Sequence, residues 1–522
     1  MTEKARRNVL FITADQWRGD SLSALGHPCA RTPRLDALAA EGQLFRNHFT
    51  QATPCGPARA SLLTGLYQMN HRSVQNGTPL DARHANLALE VRKAGYDPIL
   101  FGYTDISADP RQRPAGDPAL HSYEGVLPGL SVGCLMNGQL LPWRRHLKSR
   151  GYDIPARPLG IFKPSGRSQS EDGSFSAPHT VFAAEESDTA FITDQVLQYL
   201  SLPHQEPWFL HLVYLRPHPP LTAPRPYNTL CNPAEVPAPR RAADAGTEGA
   251  QHPYLAHLLS RQGRPGHYGG QEGSTLDFSP REVQELAAVY HGLIAEVDFH
   301  IGRILDFLKA QGLYDDTLIV FTSDHGEMLG NHWLFGKDGY FDDAFHIPLI
   351  LRDPRPEADA GRGRVEAAMT EAVDLMPTML DWLGLETPAQ CDGYSLRPFL
   401  EGRRPESWRR EAHWEFDFRD PVEGAAETAL GISSDHCTLN VLRGPRYKYV
   451  HFTALPPLLF DLESDPGETR DLSQDPGHQA VMLEMAQKML SWRMAHDERV
   501  LVNMRLTGRG VVARETPRRI LD

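Results

Sequence analysis

The sequence of 522 residues predicts an α/β fold, with a large mixed, mostly parallel central sheet flanked by helices. A smaller C-terminal α+β subdomain with an antiparallel sheet is expected to follow. Three observations support this prediction. Apolar runs alternate with helical stretches over the first 110 residues, a long helix near residue 280 leads into a buried strand, and short strand-like segments follow residue 385. Strand–helix alternation is typical of parallel sheets, and neighbouring short strands are typical of antiparallel sheets.

The first part of the chain supplies the alternation. The predicted strands are Val9–Thr13, Asp97–Gly102 and Trp208–Leu215. The predicted helices are Thr32–Glu41, a helix that begins just after Cys55 and continues through Ser61–Leu66, and Leu87–Ala94. In the first of these helices, Leu35, Leu38 and Ala39 share one side, which we expect to face the sheet.

The clearest helix begins near residue 280. Ser279 is a helix N-cap, Pro280 takes the first helical position, and Glu282 completes a capping box. Apolar residues then recur at helical spacing over Val283–Leu308. A further strand, Leu318–Thr322, follows this helix.

Two domains are predicted, a main domain over residues 1–385 and a C-terminal subdomain over 386–522. The main domain ends after a helix at Leu375–Leu383 and contains long loops near 150–190 and 223–277, which are rich in Pro and Gly. In the subdomain we expect strands in 411–418 and 440–461, a terminal helix at Gln479–Met494 and a basic extended arm.

Composition excludes some classes of protein. The net charge of −13 argues against a nucleic-acid-binding protein, because phosphate backbones favour clustered Lys and Arg. The N-terminal apolar run Val9–Ile12 is too short for a signal peptide, and no transmembrane segment is visible. The six cysteines form no Cys-x-x-Cys pair. We therefore expect a cytoplasmic protein without a nucleic-acid or membrane partner.

Polar residues follow two of the predicted strands. Asp15 and Gln16 come directly after the first strand, and Asp324 and His325 follow Leu318–Thr322. The carboxyl ends of parallel strands meet at one edge of a sheet, so these side chains can converge. Carboxylate and amide oxygens and an imidazole are ligands for a divalent cation. Each pair alone is weak evidence, because a strand-end Asp is more often a helix cap or turn former.

The segment Cys55-Gly56-Pro57-Ala58-Arg59, with Leu63-Thr64-Gly65 after it, resembles the sulfatase signature Cys-x-Pro-x-Arg. In that family a modifying enzyme oxidises the cysteine to formylglycine. Ala58 departs from the Ser that is common there, but the Cys, Pro and Arg remain. The alternative is an ordinary buried cysteine at a helix start.

The resemblance to the sulfatases, which belong to the alkaline phosphatase superfamily, extends over most of the chain. Similar segments are Asp15-Gln16-Trp17-Arg18, Thr32-Pro33-Arg34-Leu35-Asp36, Leu44-Phe45-Arg46-Asn47, Leu215-Arg216-Pro217-His218, Asp324-His325-Gly326-Glu327-Met328-Leu329-Gly330, Gly336-Lys337 and the stretch 461–468. Within the family the chain is most similar to phosphonate monoester hydrolases that also cleave aryl sulfates. The segments that carry this similarity are Asn70-His71-Arg72, Val74-Gln75-Asn76 and Gly102-Tyr103-Thr104. Asp105 stands where that branch has another hydroxyl residue.

The resemblance implies roles for these residues. One divalent cation, manganese or calcium, would be bound by Asp15, Gln16, Cys55 as formylglycine, Asp324 and His325. An imidazole ligand favours manganese slightly. Arg59, His218 and Lys337 join residue 55 as catalytic residues. Arg59 would hold the nucleophile, and His218 and Lys337 would contact the ester oxygens, with His218 able to protonate the leaving alcohol. The substrate-binding candidates are Asn76, Tyr103, Thr104 and Asp105.

The implied activity is hydrolysis of monoanionic esters, namely aryl sulfates, phosphonate monoesters and phosphodiesters, through a covalent intermediate on residue 55. The implied partners are a small-molecule ester, a formylglycine-generating enzyme and further copies of the chain in a dimer or tetramer. Two alternatives remain. A two-metal phosphatase or phosphomutase would require a Ser or Thr nucleophile instead of Cys55. A non-catalytic binding protein with this fold would be expected to lose Cys55, Arg59 or a metal ligand, and none is lost.

Overall fold

The computed structural model describes residues 7–204, 206–266 and 272–513. The strands are β1 Asn8–Ala14, β2 Gln43–Phe49, β3 Pro98–Gly102, β4 Ser131–Leu135, β5 Gly166–Gln169, β6 Ser176–His179, β7 Phe209–Tyr214, β8 Thr317–Thr322, β9 His346–Ile347, β10 Leu349–Arg352, β11 Arg364–Glu371, β12 Ala412–Asp417, β13 Thr438–Arg443, β14 Tyr447–Phe452, β15 Leu458–Asp461, β16 Met504–Thr507 and β17 Gly510–Ala513. The helices are α1 Pro33–Glu41, α2 Cys55–Thr64, α3 Gln68–His71, α4 Leu87–Lys93, α5 Leu141–Ser149, α6 Asp188–Leu200, α7 Ala245–Gly249, α8 Pro253–Ser260, α9 Pro280–Ala310, α10 Asp342–Phe345, α11 Leu375–Leu383, α12 Arg397–Leu400, α13 Ala425–Leu430 and α14 Gln479–Ala495.

The central sheet is large and mixed. Within the described residues it has nine strands, in the order β11-β2-β10-β8-β1-β7-β3-β4, with β9 paired to β2. The strands β8, β1, β7, β3 and β4 run parallel to their neighbours in this series, whereas β10 is antiparallel to both β8 and β2. The predicted α/β fold with a mixed, mostly parallel sheet is confirmed.

The burial of β1 explains the apolar run Val9–Ile12 within it. Leu10 and Ile12 pack into one core cluster with α1, α6 and α9, and Val9 and Phe11 pack into another with α2, α4 and α11. Successive side chains of a strand point to opposite faces, so a strand covered by helices on both sides favours apolar residues at consecutive positions.

The C-terminal part contains the smaller antiparallel sheet, in the order β12-β13-β14-β15, as predicted. A backbone bridge between Ala52 and Glu415 joins β12 to the segment just before α2. The small sheet therefore lies beside the start of the helix that carries Cys55. Only Met485 and Met489 of α14 are buried.

Several elements were not predicted. The strands β2 and β11 of the central sheet carry polar or charged residues, and β11 is half exposed, so their patterns are weak. The strand β10 is mostly apolar but has only four residues. The loop near 150–190 contains the hairpin β5–β6, and its Phe162 and Phe182 pack on Trp143 in the core. The loop near 223–277 contains α7 and α8.

The chain ends, as far as it is described, in the hairpin β16–β17, where we expected an extended arm. The basic segments at 1–6 and 514–522 lie outside the described residues. No helix in the described ranges is both long and apolar enough to cross a membrane.

Candidate active site

The carboxyl ends of four parallel strands meet at one edge of the central sheet. β1 is followed by Asp15, β3 by Tyr103 and β8 by Asp324 after one residue, while the turn after β7 contains His218. The helix α2 begins at Cys55, which contacts this edge. The sheet topology therefore brings together residues far apart in the sequence.

Four buried side chains form a cluster suited to a metal ion. The ligand atoms of Asp15, Cys55, Asp324 and His325 all lie within 4.8 Å of one another. His325 Nε2 is 3.2 Å from Cys55 Sγ, 3.7 Å from Asp15 Oδ1 and 3.6 Å from Asp324 Oδ2. His325 Nδ1 donates to the Gly326 carbonyl oxygen at 3.0 Å, so the Nε2 lone pair faces the cluster. Asp15 Oδ1 is buried and has no hydrogen-bond partner among the described residues. These donors fit a divalent cation.

The protonation of the cluster also suits a cation. Burial raises the pKa of Asp15, and the facing charge of Asp324 raises it further. For Asp324, burial is outweighed by His325 and Arg59, and its pKa is lowered. Burial lowers the pKa of His325 to about 4, which keeps the imidazole neutral and able to bind metal. A bound cation would favour the ionised form of both aspartates.

Arg59 holds the two aspartates. Its guanidinium donates to Asp324 Oδ2 at 2.9 Å, to Asp15 Oδ2 at 2.8 Å and to the Tyr103 carbonyl oxygen at 3.0 Å. The guanidinium also lies over the Tyr103 ring, 4.2 Å from its centroid. The Tyr103 hydroxyl donates to Asp15 Oδ2 at 2.5 Å. In this structure, therefore, Arg59 and Tyr103 orient the carboxylates.

Lys337 and Gln16 lie together at the edge of the cluster. Lys337 Nζ donates to Gln16 Oε1 at 2.7 Å. Burial alone would lower the pKa of Lys337, but attraction to Cys55, Asp15 and Asp324 outweighs it and raises the pKa. The ammonium group is therefore charged at neutral pH and available to an anion.

His218 is half-buried in the proline-rich turn after β7. Its Nδ1 donates to the Pro219 carbonyl oxygen at 2.6 Å. Burial lowers its pKa well below the ordinary value, and the nearby charge of Lys337 adds to this effect. In the free site His218 is thus neutral at neutral pH, with its proton on Nδ1, so donation of a proton from Nε2 requires a bound anion to raise its pKa.

The other predicted residues have different surroundings. Asn76 Oδ1 accepts from the Gly56 backbone N–H at 2.8 Å, so Asn76 caps the start of α2. The Thr104 hydroxyl is bonded to the backbone of a neighbouring loop, to Gly125 O and Leu127 N at 2.9 Å each. These bonds engage Thr104 in holding that loop.

Asp105 lies near the guanidinium, with its Oδ2 3.9 Å from Arg59 Nη1. Burial raises the pKa of Asp105 to about 7, against the opposing attraction of Arg59. Its carboxyl group is thus close to half ionised at neutral pH.

Glu327 is a buried residue to which the sequence analysis assigned no role. It accepts hydrogen bonds from the Gln16 side chain and from the backbone N–H groups of Leu329 and Gly336. The feature of the sequence that could have identified Glu327 as a site residue is its position two residues after His325.

A cleft of about 330 Å³ adjoins the cluster. Pro54, Asn76 and Asp338 line it, and these residues neighbour Cys55, the first turn of α2 and Lys337. Its walls come from α8 and from the end of β12, and include Leu258, Arg261, Phe416 and Phe418.

A buried carboxylate–imidazole cluster at the carboxyl edge of a mostly parallel sheet, facing the start of a helix, could hold a metal ion and is an arrangement typical of metal-dependent hydrolases. The family model described as Sulfatase matches residues 7–385, and the one described as N-sulphoglucosamine sulphohydrolase, C-terminal, matches residues 330–495. The chain belongs to the sulfatase family.

Within this family the chain is similar to phosphonate monoester hydrolases. The phosphonate monoester hydrolase of Agrobacterium radiobacter is 47% identical with a TM-score of 0.93, over 98% of this chain and 100% of that one. The enzyme of the same name from Silicibacter pomeroyi is 42% identical with a TM-score of 0.90, over the same shares. The multifunctional alkaline phosphatase superfamily protein PehA of Trinickia caryophylli is 44% identical over 98% of this chain and 99% of its own length.

Proposed function

We propose that the protein hydrolyses monoanionic esters, namely aryl sulfates, phosphonate monoesters and phosphodiesters, with residue 55 as formylglycine and one divalent cation. The observation that carries the proposal is the cluster of Asp15, Asp324 and His325 around Cys55, which stands in a Cys-x-Pro-x-Arg segment at the start of α2. The similarity to phosphonate monoester hydrolases over nearly the whole chain supports the substrate class.

The Cys55 thiol marks the position that the formylglycine hydrate would take. Hydrated formylglycine with a bound cation, manganese or calcium, would supply a hydroxyl nucleophile at neutral pH. Asp15, Asp324 and His325 would hold the cation, and Gln16 would add its amide oxygen. Arg59 donates to both carboxylates and would keep them oriented for the cation.

The charged Lys337 is the residue best placed to bind a non-bridging oxygen of the ester, because it lies beside both Gln16 and Cys55. His218 would approach the same group from the turn after β7. An anion between them would raise the pKa of His218, so its imidazole could then supply a proton to the leaving alcohol.

The cleft beside residue 55 would take the organic part of the substrate. Leu258, Phe416 and Phe418 give it an apolar wall, and Arg261 gives it a half-exposed cation. A ring-sized substituent fits the volume of about 330 Å³, which exceeds the needs of a sulfate or phosphonate group alone. Asn76 lies at the junction of the cleft and the cluster.

Maturation would require a formylglycine-generating enzyme that acts on the unfolded segment, because Cys55 is buried in the folded chain. The six cysteines all lie in the described ranges and are free thiols, which supports a cytoplasmic location. A dimer or tetramer is supported by the hairpin β16–β17, an exposed strand pair with apolar side chains.

Of the alternatives, the two-metal phosphatase finds less support. Among the described residues, the cluster at Cys55 is the one group of His, Cys, Asp and Glu side chains with metal-site geometry. A non-catalytic protein is disfavoured because Cys55, Arg59 and the ligands are all in contact.

Mass spectrometry of active protein and kinetics on esters with a common leaving group test the proposal together. The peptide with residue 55 should have a mass about 18 Da below that of the cysteine form. Cys55→Ala should abolish hydrolysis of all three ester classes, and Cys134→Ala, a change at another buried cysteine, should not. Full activity with unmodified cysteine, or no hydrolysis of any of the three classes, would refute the proposed function.

A further inference from the structure

The carboxylate of Glu327 joins two loops that border the metal-ligand cluster. Its Oε1 accepts the backbone N–H of Leu329 at 3.0 Å and that of Gly336 at 2.6 Å. Its Oε2 accepts the side-chain N–H of Gln16. Glu327 is fully buried and thus ties the turn after β1 to the loop that leads to Lys337.

The Gln16 carboxamide has its orientation set from both ends. Its Nε2 faces Glu327, a carboxylate whose other oxygen already accepts two backbone N–H groups. Its Oε1 faces Lys337, whose ammonium group can only donate. If the amide were rotated by 180°, donor would face donor at Lys337 and acceptor would face acceptor at Glu327. Both neighbours therefore select the same orientation.

The backbone of Gln16 is fixed as well. Its φ of 69° is in the left-handed region, and its N–H donates to Asp324 Oδ1 at 3.1 Å. Asp15, the preceding residue, belongs to the metal-ligand cluster. Because the main chain is held in this way, Gln16 can change mainly by rotation of its side-chain amide, and the hydrogen bond to Glu327 restrains that rotation.

We infer that Glu327 is a positioning residue: it turns the oxygen of the Gln16 carboxamide toward Lys337 and the metal-ligand cluster. This inference rests on the proposed function in one respect, the presence of a cation at the cluster. The hydrogen bonds of the Glu327 carboxylate go to Gln16, Leu329 and Gly336. Its effect passes through Gln16, whose oxygen is the atom that a hard cation or the Lys337 ammonium can use.

Glu327→Gln tests this role with a small change of shape. The new amide can keep its oxygen toward Leu329 and Gly336, but its NH₂ group then faces the NH₂ group of Gln16. Gln16 must turn, and its NH₂ group then faces Lys337 and the cluster. We expect the affinity for Mn²⁺, titrated directly against the purified protein, to fall about 10-fold to 100-fold, as for other partners of metal ligands. The KM for a phosphonate monoester should also rise, because the Lys337 ammonium group is no longer held in place by the Gln16 oxygen.

A double variant in which the residues at 16 and 327 are exchanged is the decisive comparison with the single variants. In the double variant Gln16→Glu with Glu327→Gln, residue 327 donates to one carboxylate oxygen of residue 16 and the other oxygen faces Lys337. The number of charges equals that of the wild type. If the two single changes acted independently, their effects on the free energy of Mn²⁺ binding would add. We expect the double variant to bind Mn²⁺ at least about tenfold more tightly than this sum predicts.

Glu248→Gln is the matched control. Glu248 is also a fully buried carboxylate, which accepts from the Ala242 backbone and from His332. Its variant should bind Mn²⁺ as the wild type does. Additive effects of the two changes at 16 and 327, or equal losses in the Glu327 and Glu248 variants, would overturn the inference. Mn²⁺ titration does not depend on turnover, so failure of the proposed ester hydrolysis would be seen separately, in the wild-type kinetics.

Discussion

The hydroxyl of Tyr103 donates a 2.5 Å hydrogen bond to Oδ2 of Asp15, and this bond leaves Oδ1 as the oxygen of Asp15 that faces the cluster. Arg59 donates to the same Oδ2 from a second direction. Within the described part of the chain, Asp15 Oδ1 has no hydrogen-bond partner, and it lies 3.7 Å from His325 Nε2. Tyr103 was predicted as a substrate-binding residue, but these contacts favour a role in orienting a metal ligand.

Tyr103→Phe should therefore weaken metal binding while the fold is kept. The phenyl ring can still lie under the Arg59 guanidinium, but Asp15 loses one of two donors. We expect Mn²⁺ affinity to fall about tenfold and the free energy of unfolding to fall by about 1–3 kcal/mol. Mn²⁺ titration and urea unfolding measure the two effects. An unchanged affinity would show that Arg59 alone orients Asp15, and Tyr96→Phe, at the far end of β3, is the control for loss of a tyrosine hydroxyl.

Asp15→Ala and Asp324→Ala should each remove metal content and activity. Each change deletes a cluster oxygen and also leaves the buried Arg59 guanidinium without one of its carboxylate partners. We expect kcat/KM to fall by at least about 100-fold, since loss of a ligand should exceed loss of a partner of a ligand. Elemental analysis of the purified variants measures the metal. Asp298→Asn, a change at a buried acid that binds the backbone of α1, should keep its metal.

Much of the central sheet could be predicted from the sequence, because its middle strands are covered on both faces. β1, β7 and β8 begin and end within about one residue of the predicted bounds. β2 could not be predicted in this way. It carries the exposed Arg46 and the half-buried Asn47 in its middle, and its pairing with β11 depends on residues more than 300 positions away in the chain.

The candidate active site was likewise predictable only in part. Strand-end positions indicated that Asp15, Asp324 and His325 can converge, because parallel topology brings strand ends together, but the resemblance of the Cys55 segment to the sulfatase signature was needed to assign them to one site. The partner of each side chain was not predictable. Arg59 donates to two aspartates and not to residue 55, and Thr104 bonds to the loop at 125–127. Both outcomes depend on the packing of segments that are distant in the sequence.

The hairpin β16–β17 gives a third prediction, on assembly. Its apolar side chains are more than half exposed in the single chain: Met504, Leu506, Val511 and Val512. Burial of such a surface against another copy is the expected use of the hairpin. Leu506→Asp, at a position 82% exposed, should lower the molar mass found by light scattering without lowering the melting temperature of the isolated subunit. A wild-type monomer, or an unchanged assembly in the variant, would contradict this role. Thr507→Asp is the matched control, since it adds the same charge at a polar position.

The last prediction concerns the charge of the substrate. The proposed site has one divalent cation with Lys337, while the Arg59 guanidinium is already bound to Asp15 and Asp324. Aryl sulfates, phosphonate monoesters and phosphodiesters are monoanions at neutral pH, whereas phosphate monoesters are mostly dianions. Sites that cleave dianions typically bring a second metal to meet the added charge. We therefore expect the monoanionic esters to have higher kcat/KM than a phosphate monoester with the same leaving group, measured on metal-saturated, formylglycine-containing protein.

Asp105 also bears on this comparison, because its carboxyl lies 3.9 Å from Arg59 and burial raises its pKa to about 7. Its negative charge disfavours a dianion more than a monoanion. Asp105→Asn should therefore raise the ratio of kcat/KM for the phosphate monoester to that for the phosphonate monoester by several-fold, on the order of 1 kcal/mol. Asp97→Asn changes an exposed acid just before β3, at the opposite edge of the sheet, and should leave the ratio unchanged. If the phosphate monoester were the best substrate of the wild type, a two-metal phosphatase would replace the proposed function. If the ratio did not change in Asp105→Asn, the cation and Lys337 alone would set the preference for monoanions.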